Sequence, residues 1–242
     1  MWWEDFAQPT CKNSKTCKYV GTDKCLPNCY WYYISSALYN VSEIPETWRK
    51  EIKLVPEEVD LQMFTICKQF ENAVLEHVEK GNGLFIYSNS VGNGKTSWAM
   101  KILQRYIQEL SMTGIRFDGP KAYYVNVSEL FETLRTNMEN KEVTIKIEKA
   151  IQDADLVIFD DMGVEAPTTW VKNKLYNYIN YRYMNGKSMI VTSNLSFDQL
   201  GAKLDKRIAD RIAEKCRPIH LRGISRRHSG RWWEDDGTSD NK

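Results

Sequence analysis

The 242-residue chain lacks any apolar run approaching the roughly 20 residues that cross a bilayer as a helix. Its first residues, Met1-Trp2-Trp3-Glu4-Asp5, lack the basic and then apolar stretch of a secretory signal peptide. Both absences set the expectation of a cytoplasmic protein with reduced thiols and no membrane partner. An excess of charge is missing too. With 33 Lys and Arg against 32 Asp and Glu, the molecule as a whole does not attract nucleic acid, and any such contact must come from a local patch. No repeat of domain scale is present, which argues against a solenoid or a propeller. The length suits one large domain or two modest ones.

What is present is concentrated between positions 84 and 96. The apolar run Leu84-Phe85-Ile86-Tyr87 enters a loop, Ser88-Asn89-Ser90-Val91-Gly92-Asn93-Gly94-Lys95-Thr96, and a helix follows. A strand, a turn ending in Gly-Lys-Thr and a helix make a cradle for nucleotide phosphates. Backbone N–H groups from Asn89 to Ser97 and the helix N-terminus face the anion, Lys95 reaches the β and γ groups, and the Thr96 hydroxyl can ligate Mg²⁺. The full pattern is G-x-x-x-x-G-K-[ST], and Asn89 stands at its first Gly. Asn tolerates φ > 0 better than most residues, so it is expected to take the glycine's conformation. The plainer alternative is a Gly-rich turn before a helix.

A second segment favours the cradle. Leu156-Val157-Ile158-Phe159 reads as a central strand buried on both faces, so Asp160-Asp161 at its end reach the ligand crevice. There Asp160 can hold Mg²⁺, and Asp161 can polarise an attacking water. Alternatively, the two acids simply begin a loop. Asn194 ends the next strand, Ser188-Met189-Ile190-Val191-Thr192-Ser193-Asn194, where its amide can orient that water.

Four of the six cysteines fall early, at Cys11, Cys17, Cys25 and Cys29. Four thiolates can close a tetrahedral Zn²⁺ site that staples a segment too small for its own core. Buried free thiols, or a redox or disulfide role, are the alternatives. Cys67 falls in the apolar helical pattern of Leu61, Phe64, Phe70 and Val74 and belongs to the core, whereas Cys216 ends a helix without an obvious partner.

The rest of the chain alternates strands with helices, which predicts an α/β fold with a parallel sheet flanked by helices. One helix is expected from Pro56 to about Lys80, the cradle helix over 95–111, and a β-rich run from Ala122 to Val127. A helix capped by Ser128, another over 169–184 and a last strand over 218–221 complete the outline. Near 202–216 Lys203, Arg207, Arg211 and Lys215 recur every four residues beside an apolar stripe of Leu204, Ile208 and Ile212. This is either a solvated basic face or a helix offering Arg207 or Arg211 as an arginine finger to a neighbouring subunit's ATP. Gly223-Ile224-Ser225-Arg226-Arg227 adds positive charge after the last strand.

Taken together, the Gly-Lys-Thr loop, Asp160-Asp161-Met162-Gly163, the stretch from Leu175 to Tyr183, Thr192-Ser193-Asn194, Arg207-Ile208-Ala209-Asp210-Arg211-Ile212 and Gly223-x-Ser225-x-Arg227 resemble the AAA+ ATPases of the bacterial and phage helicase-loader family, the DnaC/DnaI type. The resemblance covers about residues 80–228. It implies a P-loop AAA+ core, slow ATP hydrolysis and an ATP-dependent homo-oligomer. It also implies Asn194 as sensor 1, Arg207 or Arg211 as the finger and Arg227 as sensor 2. The implied partners are a hexameric replicative DNA helicase and single-stranded DNA. Asp161 stands where most AAA+ proteins carry Glu. The expected layout is a small Cys-rich N-terminal segment over 1–53 that engages the helicase, an ATPase domain over 54–228 and a tail over 229–242. Transposition-helper ATPases of the same family share this core, and a nucleotide-gated adaptor without significant hydrolysis is a further reading.

Overall fold

The computed structural model describes residues 29–115, 119–137, 140–163 and 167–225, together with Thr22 and Cys25. Five apolar segments form its strands: β1 (Gly83–Tyr87), β2 (Ala122–Asn126), β3 (Leu156–Met162), β4 (Ser188–Ser193) and β5 (Cys216–His220). They pair in parallel, in the order β2-β3-β4-β1-β5. Helices α1 (Tyr30–Val41), α2 (Leu61–Asn72) and α3 (Val74–Glu79) precede the first strand. Parallel strands need crossovers, which α4 (Lys95–Ser111), α5 (Val127–Thr136), α6 (Lys141–Asp153), α7 (Thr169–Met184), α8 (Phe197–Lys203) and α9 (Lys206–Lys215) provide.

Because side chains alternate across a strand, the sheet divides the core in two. Leu84, Ile86, Leu156, Ile158, Ile190 and Ile219 face α1 to α4. Phe85, Val157, Phe159, Met189 and Val191 face α5 to α9. All strands run the same way, so the C-terminal ends of β1, β3 and β4 bring the Gly-Lys-Thr loop, the acidic pair and Asn194 to one edge.

Several local expectations shift. Asn126, not Ser128, caps α5, its side chain accepting the Glu129 amide at 3.1 Å. The helix expected after Pro56 is a 3-10 turn at 58–60 followed by α2 and α3, which part at Ala73. The helix expected near 202–216 is interrupted, because Asp205 caps α9 through the Arg207 amide at 2.8 Å. Lys203 therefore ends α8, and only Arg207, Arg211 and Lys215 share a helix. Cys216 opens β5 and is buried, and Cys67 lies in the core as expected.

The division expected at residue 53 runs through packed structure. Leu38 and Tyr39 of α1, with Ile44 and Ile52 beyond it, are buried in the same cluster as α4. The connector over residues 44–53 is tied to α4 by Lys101, which donates to the Ile52 carbonyl at 2.8 Å, and by Gln104, which donates to the Trp48 and Lys50 carbonyls. Among the described residues no helix is long and apolar enough to cross a membrane.

Candidate nucleotide site

Two left-handed glycines shape the loop between β1 and α4, Gly92 at φ 78° and Gly94 at φ 100°. A side chain at either would strain the backbone. Asn89 does not take the conformation expected of it. It is absent from the described positive-φ residues, and the left-handed positions of this loop are Gly92 and Gly94. Asn89, Ser90 and Val91 are exposed, whereas Asn93 and Lys95 are buried. The Asn93 amide donates to Ser88 Oγ at 2.5 Å and to the Leu221 carbonyl at 3.3 Å, pinning the loop to the exit of β5. Lys95 Nζ donates to the Ser90 carbonyl at 2.8 Å and to Asn93 Oδ1 at 3.4 Å.

Asp160 faces this loop and is the electrostatic centre of the site. Thr96 Oγ1 donates to its Oδ1 at 2.9 Å, Thr192 Oγ1 to the same oxygen at 2.5 Å, and the Tyr124 hydroxyl to Oδ2 at 3.0 Å. Burial pushes the carboxyl above the usual range and the Asp161 charge adds to this, while the three hydroxyls pull it back. A buried carboxylate beside a threonine hydroxyl is a hard-oxygen donor set, which fits Mg²⁺ held by Thr96 and Asp160. Thr192 and Tyr124 lie outside the sequence reading of the site. Tyr124 falls in no local motif, and Thr192 falls in the Thr192-Ser193-Asn194 stretch only as a neighbour of Asn194, since both are ordinary strand residues until β2, β3 and β4 align.

Asp161 follows at a register irregularity between β3 and β4. Its φ of 56° is left-handed, a conformation that costs a non-glycine about 1–2 kcal/mol. The Asp161 amide donates to Thr192 Oγ1 at 2.9 Å, which holds the strained residue in place. A cleft of about 570 Å³ is lined by Val91, Gly92, Gly94, Lys95, Thr96 and Ser97, by Tyr124, Asp160, Asp161 and Asn194, and by Trp48. The expected phosphate, metal and water groups are thus neighbours, and Trp48 of the connector is an unforeseen wall.

Neither Arg207 nor Arg211 lines this cleft. Both lie on the outer face of α9 against α7. Arg207 pairs with Asp205 at 2.8 Å, and Arg211 Nε donates to Asn180 Oδ1 at 2.6 Å. Arg227, Cys11 and Cys17 lie outside the described residues. Cys25 and Cys29 are half-buried free thiols, and no group of three or more metal-ligating side chains occurs among the described residues.

The crystal structure of the DnaC helicase loader is similar to this chain at a TM-score of 0.59 and 25% identity, over 76% of this chain and 98% of that one. The crystal structure of DnaI shares the fold at a TM-score of 0.58 and 24% identity, over 74% and 94%. In sequence, the replicative helicase loader DnaI of Bacillus subtilis (strain 168) is 25% identical over 162 residues, 62% of this chain and 49% of that protein. The uncharacterised protein YqaM of the same organism is 27% identical over 131 residues, 52% and 38% of the two chains. Such sequence matches span between 26% and 53% of the relatives' own lengths. The profile of the IstB-like ATP binding proteins matches residues 68–232, more than half of the chain. With that match, and with a Gly-Lys-Thr loop and an acidic pair at the ends of a parallel sheet, the chain belongs to the IstB-like ATP binding protein family and shares its P-loop AAA+ core with the helicase loaders.

Proposed function

We propose that this protein is an Mg²⁺-dependent ATPase that loads a hexameric replicative DNA helicase onto single-stranded DNA. The observation that carries the reading is the meeting of Lys95, Thr96 and Asp160 in one cleft, on a fold matched over 98% of the DnaC loader structure.

Backbone groups of residues 89–97 receive the phosphates. Lys95 exchanges its bonds to Ser90 and Asn93 for phosphate oxygens, which is a favourable trade because the new acceptors are charged. Thr96 and Asp160 hold Mg²⁺, which when bound supplies positive charge to the phosphates. Asp161 accepts a hydrogen bond from the attacking water and so increases its nucleophilicity, while Asn194 orients it. Arg211 of a neighbouring protomer neutralises charge on the transferred group, with Arg207 as the competing candidate, and Arg227 contacts the nucleotide from its own chain. ATP thereby joins protomers, and its hydrolysis loosens them. The segment before α1 engages the helicase and holds Zn²⁺ through Cys11, Cys17, Cys25 and Cys29.

ATP turnover measured alone and with helicase and single-stranded DNA tests this reading. Turnover that rises with both supports it, and binding without turnover under every condition favours the nucleotide-gated adaptor. Retrieval of a transposase rather than a helicase from the native cell would replace the loader by the transposition helper. About one Zn²⁺ per chain is expected by elemental analysis after purification without chelator, and metal-free protein would dispose of the zinc site.

A further inference from the structure

The arginine face of α9 is laid on two tyrosines and an asparagine of α7. Arg211 Nε donates to Asn180 Oδ1 at 2.6 Å, one terminal nitrogen to the Tyr176 hydroxyl at 3.0 Å, and the other to the Arg207 carbonyl at 3.1 Å. The guanidinium carbon also lies 4.9 Å from the Tyr176 ring centre and 5.7 Å from that of Tyr183. Three acceptors in different directions fix the plane of the group. Each terminal nitrogen has a second N–H to offer, the pair a phosphate would take.

Arg207 is placed differently. Its side chain is 57% exposed, its guanidinium carbon lies 4.4 Å from the Tyr176 ring centre, and the Asp205 carboxylate at 2.8 Å already balances its charge. The acceptors of Arg211 are all neutral, so its charge remains available to an incoming anion. From this geometry we infer that Tyr176 and Asn180 are positioning residues for Arg211, holding its guanidinium aimed before a neighbouring protomer's nucleotide cleft arrives. The inference rests on the role in trans given to Arg211 above.

Full-length protein assembled with helicase and single-stranded DNA provides the test, with equilibrium ATP binding by the protomer measured alongside. Tyr176→Ala and Asn180→Ala should each lose stimulated turnover by about 10²-fold, the usual effect of misplacing a reacting group by about 1 Å, with ATP affinity unchanged. Tyr176→Phe keeps the ring, loses the hydroxyl and should fall between. Mixing assigns the defect to a side of the interface. Tyr176→Ala has an intact cradle and Lys95→Ala an intact finger, so together they should recover activity, whereas Tyr176→Ala with Arg211→Ala should not. Reversal of either mixing result would overturn the inference. Wild-type turnover by Tyr176→Ala or Asn180→Ala, with Arg211→Ala inactive, would overturn the inference and spare the reading beneath it. Wild-type turnover by Arg211→Ala would remove the role in trans itself. If Tyr176→Ala does not fold, Asn180→Ala and Tyr176→Phe carry the same comparison, Asn180→Ala taking its place in the mixtures.

Discussion

Thr192 Oγ1 donates to Asp160 Oδ1 at 2.5 Å, and the same hydroxyl oxygen accepts the amide of Asp161, the neighbouring acid, at 2.9 Å. One threonine on β4 thus holds a buried carboxylate and a left-handed backbone in place at once. Thr192→Val keeps the shape and deletes both bonds. It should cost roughly 1–3 kcal/mol in denaturant unfolding and lower Mg²⁺-dependent turnover. A variant with unchanged stability and turnover would make the hydroxyl dispensable.

Lys95→Ala should abolish tight ATP binding in an equilibrium titration, because among the described residues lining the cleft Lys95 is the one cationic side chain. Asp161→Asn should keep binding and lose hydrolysis by about 10²-fold or more, since it preserves size while removing the charge proposed above to polarise the water. Equal loss of binding in both variants would show that Asp161 serves the fold of the loop rather than the water.

The loop geometry reverses an expectation about which position needs glycine. Asn89→Ala should leave ATP affinity close to wild type, because residue 89 has no left-handed backbone. Gly92→Ala should cost about 1–2 kcal/mol in stability and weaken ATP binding, its φ of 78° being unfavourable to a Cβ. Calorimetry of the two variants side by side decides between them.

Burial pushes both the Cys67 and the Cys216 thiols up from near 9 to about 12. The nearby Glu71 charge adds to the effect at Cys67. The native state therefore holds these protons more tightly than the unfolded chain. Their contribution to stability is fully present below pH 9 and is lost as the pH rises from 9 towards 12. Unfolding midpoints measured across that range should fall, and Cys67→Ser and Cys216→Ser should reduce the slope. At pH 8, alkylation of native protein followed by peptide mapping should leave both thiols unmodified until denaturant is added.

Arg182 is fully buried beneath the opposite ends of the strands. It donates to the carbonyls of Ile151 at 2.7 Å, Ala154 at 2.9 Å and Asp155 at 3.0 Å, and to that of Ser188. Arg182→Met should destabilise the protein by roughly 3 kcal/mol or more, since several buried carbonyls lose their donor together. ATP affinity of the folded variant should hold. A loss below about 1 kcal/mol in urea unfolding would mean that water replaces the guanidinium.

Helices α4 and α7 match the expected spans because their signals are local: a Gly-Lys-Thr start for one, and an Asn-Gly stop after the other. The supposed single basic helix shows where local periodicity fails. Lys203, Arg207, Arg211 and Lys215 keep a four-residue spacing across a break, and the Asp205 cap that makes the break is a single side-chain bond. α1 escaped for a related reason. Its sequence carries no marker of where Leu38 and Tyr39 are buried, and that depends on α4, about 60 residues later in the chain.

The sequence by itself determined which residue types meet at the site: a Gly-Lys-Thr loop ending at Lys95 and Thr96, two acids at the end of a buried strand, and a parallel sheet to hold them. Those features are written in residue type and spacing, which act over a few positions of chain. Only the tertiary structure decided the environment of that chemistry. It brought Tyr124 and Thr192 to Asp160, placed the loop's left-handed turn on Gly92, added Trp48 to the cleft, and set Arg211 among neutral acceptors while pairing Arg207 with Asp205. Each of these depends on strand register, helix packing or a single side-chain hydrogen bond, and none of them leaves a period in the sequence.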